Sequence, residues 1–248
     1  KVLAALKDDF GEKKIKDRLR SMGTRYLLTH RSFEIKDHLA LELSRGNDTV
    51  AMQVSHDEEA EYTSVTISTL DVPGLFSMIA GVMAANGINI LGAQIYTRRN
   101  GFALDILHVN KPIGGIIDDP AKWEKVQTDL TSVLEGRVKV SGLVKKRQKA
   151  GFLPGQNLPR YPNKVEFDTD VSREYTVIDI FAHDEVGLLY RITRTLAELG
   201  LYIHVAKIST KVDQVADTFY VKDIFGQTIS DEAKREDIRK SLLESLDE

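Results

Sequence analysis

The sequence has no cysteine, one tryptophan and six prolines in 248 residues. Without thiols there is no disulfide framework, no thiolate nucleophile and no cysteine-based metal site. No apolar run reaches the eighteen or so residues that a membrane-spanning helix needs, and no stretch reads as a signal peptide. Positive charge is not in excess either. Lys and Arg number 34 against 37 Asp and Glu, for a net charge of −3 and a pI near 6.1. That balance lacks the basic field by which proteins hold nucleic acid or acidic lipid. With 42% hydrophobic and 29% charged residues, the length predicts a globular protein of about two domains, cytoplasmic by default. The chain opens on Lys1 rather than Met, so it is expected to be part of a longer protein.

What is present is a repeat. From Thr176 to Thr210 the chain reads as strand, tight loop, helix, strand. Val177 to Ala182 is a mostly apolar run of strand length, broken by Asp184-Glu185-Val186-Gly187. Leu188, Leu189, Ile192, Leu196 and Leu199 then fall three or four apart, as on one helix face, and Gly200 ends the helix before a second strand. The same pattern runs from Val65 to Thr97. Without a gap, Asp71 falls on Asp184, Gly74 on Gly187, Gly87 on Gly200, Ala93 on Ala206 and Thr97 on Thr210. A repeat of this length signals a duplicated structural unit.

Each copy continues into a turn and a further strand. Arg98-Arg99-Asn100-Gly101 is a hairpin signal leading to Phe102–Val109, and Lys211 to Gln214 leads to Val215–Lys222. Asp105 aligns with Asp217, one residue out of step with the rest. A helix follows in both. Asp119-Pro120 supplies the cap and first turn of one, with Trp123, Val126, Leu130, Val133 and Leu134 on one face. Ser230 is the expected cap of the other, with Ile238, Leu242 and Leu246 inward. Arg137 to Val144 reads as a last strand of the first unit. The fold class is α+β, two tandem ferredoxin-like βαββαβ units. No sequence remains after the final helix for a fourth strand in the second unit, so Val165 to Phe167 or another chain is expected to cover that edge.

Residues 1–60 differ. Leu3, Leu6 and Phe10, then Ile15, Leu19 and Met22, are helically spaced about Gly11; Ile35, Leu39 and Leu43 mark a helix begun at Ser32 and stopped by Gly46-Asn47. Val50, Met52 and Val54 alternate as a short strand. This mainly helical connector is too small for a large core and is expected to pack on a neighbour. Residues 146–171 read as a linker, with a charge run at KKRQK and a loop at GFLPGQNLPRYP.

His56-Asp57 and His183-Asp184 resemble the metal-binding pair of phosphohydrolases, but a metal site needs further converging ligands, and both pairs are read as loop residues. His30, His38, His108 and His204 show no metal-ligand spacing.

The D-x-x-G-L turns, G-I-N-I and G-L-Y-I entering the second strands, and A-x-I-x-T closing them resemble a pair of ACT domains, at 61–145 and 172–248. Together with TRYLL, His38, DVPGLF and the whole of Ser172 to Gln227, they resemble the C-terminal region of the bacterial PII uridylyltransferase/uridylyl-removing family. The resemblance implies catalytic domains elsewhere in the protein, which use Mg²⁺ and UTP to transfer UMP to the PII signalling protein and a separate phosphohydrolase domain to remove it. It implies L-glutamine as effector of the tandem ACT domains, and a regulatory segment without catalytic or metal-binding residues of its own.

Free N–H groups at a helix start suit a carboxylate, and Gly74 and Gly187 let the backbone approach a ligand. The candidate glutamine-binding residues are therefore Asp71, Val72, Pro73, Gly74 and Leu75 in the first turn and Asp184, Glu185, Val186, Gly187 and Leu188 in the second. Each aspartate either caps its helix or binds an α-amino group. By resemblance, Asn89 and Ile90, and His204 and Val205, complete the site across an interface between ACT units. Glu185-Val186 stands where the family has Arg-Pro, so the first copy is the less altered. Two other readings remain open: an ACT pair that binds nothing, and an RNA-recognition module. The second wants aromatic residues on the third strand and a basic sheet face, and neither Phe102 to Ile106 nor Asp217 to Tyr220 supplies them.

Overall fold

The computed structural model describes residues 1–98, 100–150, 162–211 and 214–247. Arg99 of the first hairpin, Val212 and Asp213 of the second, and the loop at 151–161 lie outside the described residues. The helices are α1 (Val2–Phe10), α2 (Glu12–Ser21), α3 (Thr24–Thr29), α4 (Ser32–Ser44), α5 (Leu75–Ala85), α6 (Pro120–Leu134), α7 (Val140–Ala150), α8 (Leu188–Glu198) and α9 (Glu232–Leu246). The strands are β1 (Val50–Asp57), β2 (Tyr62–Leu70), β3 (Asn89–Thr97), β4 (Phe102–Asn110), β5 (Lys164–Asp168), β6 (Thr176–His183), β7 (Tyr202–Lys207), β8 (Thr210–Lys211) and β9 (Gln214–Lys222). All these strands join one sheet in the order β1-β2-β4-β3-β7-β9-β6-β5, with β8 pairing β9.

The two units are the halves of that sheet, and α5, α6, α8 and α9 cover one face. Ile79, Met83, Leu107 and Leu130 of the first half and Ile178, Ile192, Phe219 and Leu242 of the second are fully buried there. The duplication extends to small details. Thr63 Oγ1 accepts the Ile117 N–H at 2.8 Å, and Thr176 Oγ1 accepts that of Ile229 at 2.7 Å. Asp119 caps α6 through the Ala121 and Lys122 N–H groups. Asp231, not Ser230, caps α9 in the same way.

The fourth strand of each unit comes from ahead of it. Arg137 to Val144 is not a strand. Its alternation is too short to distinguish strand from helix, and the edge beside β2 is already taken by β1, paired along its whole length from Val50↔Thr69 to Asp57↔Tyr62. With that place filled, Val140 and Leu143 use their helical spacing and pack as α7 against the core, and Val144 is buried beside them. In the second unit β5 holds the equivalent place, Val165 opposite Ile180. Both units thus run ββαββα and keep the ferredoxin-like layout. The connector's strand belongs to the sheet, and its helical part ends at Ser44.

The connector finds its neighbour within the chain. Leu6, Ile15, Met22, Tyr26, Ile35, Leu39 and Leu43 bury against Tyr96, Leu104 and Ile106, on the face of the first half-sheet opposite α5. A buried ion pair joins Glu42 of α4 to Arg98 at the end of β3, and Arg18 Nε lies 3.3 Å from the other Glu42 oxygen.

Helix α7 lies close on α5 because Gly81 offers no side chain. A Cβ there would overlap Val140 Cγ2 and stand 3.0 Å from Tyr190 Cδ2. In an exposed helix Gly→Ala gains about 0.5–1 kcal/mol, whereas overpacking costs about 1–3 kcal/mol. Gly81→Ala is therefore expected to lower the midpoint of thermal unfolding; a raised midpoint would show that α7 is not docked here.

Candidate functional site

The two strand-to-helix turns are built alike. After β2, the Asp71 N–H bonds the Gly101 carbonyl at 2.9 Å and the Leu75 N–H bonds that of Val72 at 3.0 Å. After β6, the Leu188 N–H bonds the Glu185 carbonyl at 3.1 Å. Each turn ends on a glycine at positive φ, Gly74 at 75° and Gly187 at 92°, where a Cβ is disfavoured. These glycines are the N-caps of α5 and α8, and neither helix has a side-chain cap. The aspartates are thus not caps. Burial raises both carboxyls above the usual carboxylate range, opposed at Asp71 by the Thr97 side chain and reinforced at Asp184 by the charge of Glu185. Glu185 pairs with Arg191 of the helix that follows.

The units meet edge to edge. β3 runs antiparallel to β7, with Gly92 opposite Lys207, Ala93 opposite Ala206 and Gln94 opposite Val205. Beside this seam each strand is irregular, at Leu91 between Ile90 and Gly92 and at His204 between Ile203 and Val205. The seam brings the turn of one unit against the second strand of the other. A cavity of about 290 Å³ is lined by Asp71, Val72, Pro73, Gly74 and Leu75 together with Tyr202, Ile203 and His204. A second, of about 550 Å³, is lined by Asp184 to Leu188 together with Asn89, Ile90 and Leu91. Of the residues singled out in the sequence, Val205 alone stands off both walls, inside the seam opposite Gln94.

Two acidic residues had gone unremarked as site residues. Asp105 of β4 lines the first cavity and Asp217 of β9 the second, each 1% exposed. Burial pushes Asp105 up to about 8, with the charge of Asp71 adding to it. Burial pushes Asp217 up to about 7, opposed by the Ser209 N–H, which donates to Oδ1 at 3.3 Å. Both carboxylate oxygens of Asp105 are buried without a hydrogen-bond partner. The signal was available: an acid at matching positions near the middle of two mostly apolar strands.

On the opposite face of the sheet the seam is bridged by the connector. Arg25 of α3 donates to the Ile95 carbonyl at 2.6 Å and the His204 carbonyl at 3.3 Å, and its guanidinium lies over the Tyr96 ring. Ile95 and His204 both line the first cavity. Burial, then the charges of Arg25 and Lys222, lowers His204 to about 4, which keeps it neutral at neutral pH.

Three other histidines are engaged by neighbouring side chains. His56 Nδ1 lies 3.1 Å from Thr63 Oγ1, His38 Nδ1 lies 2.9 Å from Tyr26 Oη, and His108 stacks on Tyr62. Among the described residues no group of three His, Asp or Glu side chains is placed to hold a metal ion, and no helix is long and apolar enough to cross a membrane.

Residues 164–248, the whole second unit with its leading strand, match the family model described as "ACR9-like, ACT-like domain". The chain is 37% identical over 217 residues to the bifunctional uridylyltransferase/uridylyl-removing enzyme of Rhodospirillum rubrum, covering 85% of this chain and 23% of that protein. It is 39% identical over 191 residues to the enzyme of that name from Azospirillum brasilense, covering 77% and 20%. For the one from Novosphingobium aromaticivorans the identity is 33% over 235 residues, covering 92% and 25%. The chain thus spans about a quarter or less of the length of these relatives. Over most of its length the chain is thus similar to one segment of the bifunctional uridylyltransferase/uridylyl-removing enzymes, and its second unit is an ACT-like domain.

Proposed function

We propose that this chain is the glutamine-sensing regulatory region of a cytoplasmic enzyme that attaches UMP to the PII signalling protein and removes it. Transfer from UTP with Mg²⁺, and the removal reaction, belong to catalytic domains elsewhere in the same protein. The observation that carries the reading is the first cavity: its walls come from both units, so a ligand there touches the turn of one and the second strand of the other. Its lining combines the start of α5, which suits a carboxylate, with the carboxyls of Asp71 and Asp105, which suit an ammonium group. A zwitterion needs both. A ligand spanning the seam shifts the two units only by its differential affinity for their paired arrangement. Arg25 supports a route onward, because it takes carbonyls from both sides of the seam into the connector.

The test is calorimetric titration with L-glutamine, beside L-glutamate and L-serine, on the parent chain and on Gly74→Leu and Gly187→Leu. Saturable binding of glutamine alone, lost in Gly74→Leu, is the expected result. Absence of heat and of thermal shift with every amino acid would favour a structural ACT pair that binds nothing.

A further inference from the structure

The first cavity holds an uncompensated buried acid. Asp105 stands on β4 between Leu104 and Ile106, and no cation or N–H group reaches either of its oxygens. A buried polar group in this state is costly unless something completes it. The other charged or titratable groups on the cavity wall are Asp71, Tyr202, His204, Lys222 and Asp223. Lys222 is engaged elsewhere, its Nζ 3.5 Å from Glu174 and over the Tyr175 ring. Asp223 accepts the Phe225 and Gln227 N–H groups at 2.9 Å and lies 3.9 Å from Lys234. His204 is turned neutral by burial and by Arg25. The cavity therefore presents two carboxyls, Asp71 and Asp105, and no cation directed at them.

We propose that Asp105, with Asp71, forms the ammonium-binding half of the first cavity, and that a primary ammonium group of the effector is the partner Asp105 lacks. The inference rests on the amino-acid reading above and deepens it. It makes the two sites unequal: Asp217 already accepts the Ser209 N–H, so the first cavity has the greater need of a cation. It also ties binding to a proton. Empty, Asp105 keeps its proton at neutral pH; an ammonium group beside it favours the carboxylate, and the proton leaves to solvent.

The 248-residue chain is titrated with L-glutamine at pH 7 in two buffers of different ionisation enthalpy, and with the glutamine analogue that lacks only the α-amino group. Up to about one proton released per glutamine bound is expected from the linkage, with no measurable binding of the analogue. Asp105→Asn, which keeps the shape, is expected to weaken glutamine roughly 10- to 100-fold, as loss of a charged hydrogen bond does, and to abolish proton release. Asp71→Asn is expected to weaken binding while proton release persists. Equal binding of glutamine and the analogue by the parent chain, or unchanged affinity and proton release in Asp105→Asn, overturns the inference and leaves the amino-acid reading standing. Failure of the parent chain to bind any amino acid overturns both.

Discussion

Truncation of Glu42 to alanine is expected to destabilise the chain by about 3–5 kcal/mol, because it strips a buried cation of its partner. Arg98 and Glu42 have side chains only 3% and 2% exposed. Neither can turn to water when the other is removed. For a domain of this size each kcal/mol moves the unfolding midpoint by about 2–4 °C, so thermal denaturation resolves the effect easily. The comparison that gives it meaning is Glu42→Leu combined with Arg98→Met. Replacing both charges with apolar groups of similar volume is often neutral or stabilising, so the double variant should recover most of the loss. A single variant within about 1 kcal/mol of the parent, the level of an exposed pair, would show that water reaches the pair and that α4 is held to β3 by apolar contact alone.

Stability is expected to fall as pH rises from 6.5 to 9, against the usual expectation for an acidic protein. Asp105 and Asp217 have folded values raised to about 8 and about 7 from an ordinary 3.8. The folded chain thus binds more protons than the unfolded one, and the stability these groups contribute is full below pH 4 and lost as pH climbs through 7 and 8. His38 and His204 act in the opposite sense. Burial lowers each to about 4 from 6.5, so their contribution is present above pH 6.5 and lost as pH falls. The two sets oppose one another between pH 4 and 6.5, and above that only the acids act. At about 1.4 kcal/mol per unit, the loss between pH 6.5 and 9 is roughly 2–3 kcal/mol. Urea denaturation across this range checks it, and Asp105→Asn with Asp217→Asn should flatten the profile and raise stability at pH 9. A flat profile in the parent would mean that both acids are already compensated.

How much of this could be read in advance differs by element. The matched positions Asp71 and Asp184, Gly74 and Gly187, Ala93 and Ala206 carried the duplication, and with it two equivalent turns and two equivalent helices. Ala93 and Ala206 prove to face one another at the centre of the seam, which the repeat alone does not imply, since a repeat says nothing about how its copies pack. Arg137 to Val144 went astray because four alternating residues satisfy either period; what decided them was β1, some eighty residues upstream in the sequence. The candidate site was readable as two turns and two strand starts, and their pairing across an interface between units came from the resemblance alone, not from the residues. Asp105 and Asp217 stayed hidden as site residues because one acid in an apolar strand does not declare which face it occupies.

The seam joins only three facing residue pairs between β3 and β7, while each unit draws its own strands from a contiguous stretch of chain. Neither half lends a strand to the other. Sliding or opening at the seam would therefore break a handful of backbone hydrogen bonds and some helix contact, yet leave both half-sheets intact. A switch that runs from 1:99 to 99:1 needs about 5.5 kcal/mol of ligand preference for one arrangement. A joint this short suits reversible signalling; interlocked strands would have demanded unfolding for every change of state.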